Sequence, residues 1–187
     1  MNVNITRLSP DAQIPAYVHE SNAVFDVFAA EDVIIEPGET VLVPTGLAFE
    51  IPEGYEMQIR PRSGITLKTK LRVQLGTVDC GYTGEVGVIV DNIAERITPF
   101  NSIKYEHIDG TTTETAKHVR YCNRYGDYVK QDAVAYKTYI IRKGDRIAQA
   151  VIKPIEQAVF TEVDALGDSD RGAGGFGWSG TTFRKEY

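Results

Sequence analysis

The chain is written in short β-branched runs that Pro and Gly cut at close intervals. That punctuation leaves little room for helix. Val33-Ile34-Ile35, the run from Thr40 to Pro44 and the run from Gly46 to Ile51 follow one another closely. Glu36-Pro37-Gly38-Glu39 and Pro52-Glu53-Gly54 read as turns between them, because Pro presets φ and Gly accepts positive φ. The stretch Tyr55 to Arg60 alternates in polarity, as a strand with one wet face does. Gly84 to Val90 and Arg146 to Ile152 are further strands, and only Gly64 to Leu71 offers one or two helical turns. Many short strands at regular spacing predict an all-β sandwich or barrel of jelly-roll type.

Between about residues 97 and 138 the pattern changes. This stretch is polar and holds Tyr105, Tyr121, Tyr125, Tyr128 and Tyr136. Asp109-Gly110 and Tyr125-Gly126-Asp127 mark turns within it, so it reads as an appended hairpin or small subdomain. At 187 residues the chain suits one domain with a self-sufficient core. Apolar runs fall short of the roughly 20 residues that span a bilayer, and the N-terminus lacks the basic-then-apolar order of a secretory signal. Cys80 and Cys122 are too few for a disulfide framework, which predicts reduced thiols and a cytoplasmic location. His19, His107 and His118 are scattered and lack zinc-site spacing. A net charge of −6 argues against nucleic acid as a partner, so any anionic ligand needs a locally basic pocket.

Four segments carry chemistry. Arg60-Pro61-Arg62-Ser63-Gly64 closes a strand with two guanidiniums, a hydroxyl and a glycine; it suits phosphate oxygens, or is a surface Arg pair. Gly76 to Gly84 reads as a glycine-punctuated hairpin with one carboxylate, Asp79, and one ring, Tyr82. Lys143 to Gln149 is a turn into a strand, with Asp145 and Arg146 placed to pair and Gln149 able to donate a hydrogen bond. Arg171 to Gly180 surrounds Phe176 with glycines, a composition that orders only at high entropic cost unless a ligand supplies contacts.

With Ala23-Val24-Phe25-Asp26-Val27 at the front, these segments stand in the order of five motifs, and the chain resembles the trimeric dUTPases. The second motif is matched by Pro61 to Gly64, the third by Gly76 to Gly84, the fourth by Gly144 to Gln149 and the fifth by Arg171 to Gly180. The excursion looks like the insert of staphylococcal phage dUTPases. The resemblance implies a jelly-roll-like homotrimer with sites at subunit interfaces. It divides the chain into a β domain, residues 1–170, and a C-terminal arm, residues 171–187, that closes over the site. The implied activity is hydrolysis of dUTP to dUMP and pyrophosphate with Mg²⁺. Asp79 is then the base that orients water at the α-phosphorus, and Asp26 holds metal-bound waters. Arg62, Ser63, Gly64 and Gln149 hold phosphate oxygens, and Arg171 meets the γ-phosphate. Gly76 and Val78 read uracil through their backbone, Tyr82 walls the sugar against a ribose hydroxyl, and Phe176 stacks on the base. Val24, Thr83 and Trp178 depart from the family pattern; Ser179 is the candidate to supply the hydroxyl that Trp178 displaces.

Two other functions compete. A dCTP deaminase resembles this fold but needs an acid/base Glu after the third motif, where this chain has Ile89. A nucleotide-gated regulator would use the excursion to bind a repressor protein, as some phage dUTPases with inserts do; Tyr-rich loops suit such recognition. The resemblance implies neither nucleic-acid nor membrane partners.

Overall fold

The computed structural model describes residues 1–96, 104–114, 118–122, 128–132 and 134–175. The chain divides into two compact units, Met1–Glu156 and Gln157–Tyr187. Among the described residues no helix is long and apolar enough to cross a membrane.

The first unit is almost entirely β. One sheet orders β1 (Asn4–Arg7), β4 (Thr40–Glu50), β8 (Glu85–Asn92) and β6 (Leu71–Val73). A second orders β2 (Phe25–Phe28), β14 (Arg146–Pro154), β5 (Tyr55–Arg60) and β7 (Gly76–Asp79). A third joins β10 (Thr112–Glu114), β9 (Lys104–Glu106), β13 (Tyr139–Ile141) and β3 (Val33–Ile35). Strands β11 (His118–Cys122) and β12 (Tyr128–Asp132) pair with each other. Every pairing is antiparallel except β13 with β9. A short helix, α1 (Ser63–Lys68), follows β5.

One core serves the three larger sheets. Phe25 and Val27, Ile35, Val43 and Phe49, Met57 and Ile59, Val86, Val88 and Val90, Tyr139 and Ile141, and Ile147 and Ala150 all meet in it. On β5 the alternation expected from Tyr55 to Arg60 holds, with Met57 and Ile59 buried and their neighbours half-buried. The turns at Gly38 and Gly54 are as expected, each with φ near +79°.

Two expectations change. The runs on either side of Thr45 are one strand, β4, with a register shift against β8 between Pro44 and Ala48. Gly46 makes the irregularity possible: its φ is +65°, and a Cβ there would lie 2.8 Å from the Ala12 Cβ. Gly76 to Gly84 is not a hairpin. β7 pairs with β5, whereas β8 pairs with β4 and β6, so the turn from Asp79 to Gly84 carries the chain between sheets.

Part of the Tyr-rich excursion is anchored. Tyr105 on β9 packs with Val134 and Ile140 in a small second core. The Glu106 amide donates to the Thr138 carbonyl at 2.9 Å, and its carboxylate holds Lys137 Nζ at 2.8 Å. Asp109-Gly110 turns β9 into β10, with Gly110 at φ +88°. Tyr125-Gly126-Asp127 lies outside the described residues.

In the second unit the described residues 157–175 form no helix or strand. Val159, Phe160 and Leu166 are exposed, and Arg171 closes a local turn by donating to the carbonyls of Gly174 and Gly175.

Candidate functional site

The residues that end β5 meet the turn that begins β14, and a cleft of about 520 Å³ opens there. Arg62, Ser63, Gly64 and Lys68 line one side; Gly144, Asp145, Arg146 and Gln149 line the other. Sheet register explains the convergence. Gln149 is opposite Asp26 on β2 and opposite Arg60 on β5, so these three side chains form one row across the sheet. Buried Ala148 and Ala150 occupy the opposite face, against the core.

Asp26, at the β2 end of the row, is only 7% exposed. Its Oδ1 lies 3.1 Å from Arg62 Nε, and its Oδ2 lies 3.4 Å from Arg146 Nη1. The Arg62 Nε contact is close enough for an ion pair but is not aligned as a hydrogen bond. Arg62 Nη1 donates to the Arg146 carbonyl at 3.0 Å, which ties the second and fourth motifs together. A buried carboxylate facing two guanidiniums fixes their direction more than it adds stability. The Asp145 carboxylate accepts the Arg142 amide at 2.8 Å, so the partner found for Arg146 is Asp26. Burial pushes the Asp145 carboxyl above its ordinary value, partly offset by that amide. Arg60 turns back along its strand, donating to Gln58 Oε1 at 2.8 Å. The second guanidinium in the cleft is therefore that of Arg146.

The expected site residues fall into three groups. Arg62, Ser63, Gly64 and Gln149 share the cleft. Gly76, Val78, Asp79 and Tyr82 lie on β7 or just after it, outside that cleft. β7 is the edge strand of its sheet among the described residues, so its outer backbone groups are open to a ligand. Asp79 is exposed and pairs in register with Glu56. Tyr82 lies over Gly84, and its hydroxyl donates to the Glu85 carbonyl at 2.8 Å. Arg171 belongs to the second unit. Phe176, Trp178 and Ser179 lie outside the described residues.

Sequence reasoning missed Lys68, Ile108 and Asp109, which also line the cleft. Lys68 lies four residues, about one helical turn, beyond Gly64, a spacing that an α1 assignment makes visible. Ile108 and Asp109 come from the excursion and carried no local signal. Among the described residues no group of three or more His, Cys, Asp or Glu side chains is placed to hold a metal.

An all-β fold here gathers three cations, Arg62, Lys68 and Arg146, in one cleft, a setting suited to anionic groups. Comparison with known proteins supplies the rest. The chain belongs to the dUTPase family and hydrolyses dUTP: the family profile matches residues 10–104 and 131–180. The deoxyuridine 5′-triphosphate nucleotidohydrolase of Nautilia profundicola is 39% identical, over 96% of this chain and 99% of that protein. The dUTPase of Staphylococcus bacteriophage 80alpha, solved with dUpNHpp, superposes with a TM-score of 0.82 at 33% identity, covering 96% of this chain and 98% of that one. That structure is described as showing how phage dUTPases control transfer of virulence genes by a G protein-like mechanism. An Asp-to-Asn mutant of the dUTPase from phage phi11 of S. aureus, solved for the coordination of a structural Mg(II) ion, gives 0.79 at 30% identity, over 90% and 100%.

Proposed function

We propose that this chain cleaves dUTP between the α- and β-phosphorus, in a site completed by a second copy of itself. Water oriented by Asp79 attacks the α-phosphorus in line; the new P–O bond forms as the bridging bond to the β-phosphate breaks. The water's proton passes to the carboxylate, and pyrophosphate leaves. Arg62, Ser63, Gly64 and Gln149 hold phosphate oxygens, with Arg171 assigned to the γ-phosphate. Mg²⁺ enters as part of the substrate, neutralising the triphosphate that it already coordinates. Asp26 is engaged by Arg62 and Arg146, and its remaining lone pairs are assigned to metal-bound water. Gly76 and Val78 present open edge-strand backbone to uracil, Tyr82 walls the sugar, and Phe176 and Ser179 close the site from the C-terminal arm.

The convergence of Arg62, Ser63, Gly64 and Gln149 in one cationic cleft carries the phosphate assignment. Strand register carries the second copy. Asp79 stands opposite Glu56, four residues behind Arg60 on β5, which is roughly 13 Å at about 3.3 Å per residue. Asp79 accordingly does not line the cleft that Arg62 lines in its own chain. A homotrimer with shared sites answers this, since a closed ring brings the Asp79 edge of one copy to the Arg62 cleft of the next.

Complementation tests the arrangement. Asp79→Asn should abolish turnover while still binding dUpNHpp, and Arg62→Ala should lower kcat/KM by about 10–100-fold through loss of a charge-assisted contact. Coexpressed, the two variants should regain about a quarter of wild-type activity if chains mix at random in a cyclic assembly. No recovery in mixed assemblies overturns the shared site.

The excursion supports a second, added reading, capture of a repressor protein. The family profile passes over residues 105–130, and the matching solved structures include phage enzymes described as controlling virulence-gene transfer. Replacing the chain between Glu114 and Val134 by a short linker should preserve turnover and abolish repressor capture; capture by the shortened chain refutes it.

A further inference from the structure

A negative charge lines the phosphate cleft from outside the family's shared sequence. The tip of the β9–β10 turn places Ile108 and Asp109 in the lining of the cleft that also holds Arg62 and Lys68, yet both residues fall in the span that the family profile leaves unmatched. The position is held from several sides. Ile108 packs against the main core, Tyr105 is buried in the second core, and Glu106 is tied to Thr138 and Lys137. The carboxylate itself is oriented: Asp109 Oδ1 accepts the Thr111 amide at 2.8 Å and the Thr111 hydroxyl at 2.7 Å. Those two bonds hold its carboxyl below the ordinary value, so it is charged throughout the neutral range. Asp145, on the opposite lip, lies within electrostatic reach of Asp109. The cleft thus sets three cations against two lining carboxylates.

We propose that Asp109 is a specificity-determining residue, a fixed charge that weakens binding of bare polyphosphate relative to its metal complex. This rests on the reading that the cleft takes the phosphates. A fully ionised triphosphate brings about four negative charges and its Mg²⁺ complex about two, so a single opposing charge is felt about twice as strongly by the bare ligand. By the same scaling Arg62 and Arg146 favour the bare form, and Asp109 offsets part of that preference. The excursion would then contribute to ligand choice.

The test measures dissociation constants of pyrophosphate and dUpNHpp with full-length protein, in EDTA and in excess Mg²⁺. Asp109→Ser retains an oxygen that can accept from Thr111 and avoids the labile Asn-Gly pair; Asp109→Glu restores the charge. The Asp109→Ser protein should bind the metal-free ligands about 3–10-fold more tightly than wild type, with a smaller gain in Mg²⁺. The gain should fade between about 0.05 and 0.5 M salt as screening shortens, which a purely structural change would not do. Asp109→Glu should restore the wild-type ratio. An unchanged ratio of metal-free to metal-bound affinity in Asp109→Ser, with Arg62→Ala still weakening pyrophosphate, overturns this inference alone. Pyrophosphate bound equally well by wild type and Arg62→Ala overturns the phosphate reading and this inference together.

Discussion

Gly84→Ala is the sharpest test of how the sugar is selected, because it moves Tyr82 without altering it. A Cβ on Gly84 would lie 2.7 Å from the Tyr82 hydroxyl oxygen and 2.8 Å from the ring Cζ. Carbon contacts settle at about 3.5–4.0 Å, so the ring must retreat by roughly 1 Å. The backbone at Gly84 is outside the left-handed region, and Ala is tolerated there. Tyr82 is 47% exposed, so it can swing outward at little cost to folding, about 1 kcal/mol or less. What is lost is the hydrogen bond from its hydroxyl to the Glu85 carbonyl, worth about 1 kcal/mol. If that restraint holds the sugar wall in place, discrimination between dUTP and UTP should fall by about 5–10-fold. The assay is kcat/KM for both nucleotides by pyrophosphate release, with thermal unfolding as the control. Tyr82→Phe, which removes the same bond and keeps the ring, should lose no more than Gly84→Ala. A Gly84→Ala enzyme of normal stability with undiminished discrimination would refute the idea that the seated ring excludes the ribose hydroxyl.

Gly46→Ala should destabilise the fold by about 2–4 kcal/mol, or roughly 4–16 °C in Tm, because φ is +65° and the new Cβ would meet Ala12 and Ser9 Cβ atoms at 2.8 and 2.9 Å. A shift under about 2 °C by calorimetry would contradict that. Asp32 is held below its ordinary value by the Lys143 amide and the Arg142 guanidinium. Its stabilisation is therefore complete above the unfolded carboxyl value near 3.9 and disappears as pH falls through the lower folded value. The pair is half-exposed, so Asp32→Asn should cost only about 0.2–1 kcal/mol at pH 7, closing toward zero as pH falls through the lowered folded value; a gap that widens in acid would reverse the sign. Truncation after Asp170 should remove most dUTP turnover while leaving the melting of the β unit unchanged, and normal kcat in the truncated chain would release the arm from any role.

Much of the fold was legible because burial follows alternation. Met57 and Ile59 announced a half-wet β5, and Gly38 and Gly54 announced turns, through rules that act within a few residues. Pairing acts over longer distances. Pro44-Thr45-Gly46 looks like a break, yet β4 runs through it because Ala12 and Ser9 close over the glycine. Cys80-Gly81 has the same turn chemistry whether its flanking strands pair with each other or with different sheets. Nothing between Gly76 and Gly84 states that β7 belongs beside β5 and β8 beside β4.

The site divides along the same line. Arg62, Ser63, Gly64 and Gln149 were readable because each lies in a compact segment whose residue types already suit phosphate. Arg146 as the second guanidinium, and Asp26 as the carboxylate behind both arginines, follow only from β2 lying against β14. Asp109 depends on a parallel contact between β9 and β13, made from a segment with no motif at all. Asp79 poses the reverse problem, because its segment names a base while its register with Glu56 takes it away from the cleft of its own chain. A sequence lists the parts of a shared site in chain order and is silent on which copy supplies them. Asp79 lies outside the cleft that Arg62 lines, and that is the observation that most favours a site shared between subunits.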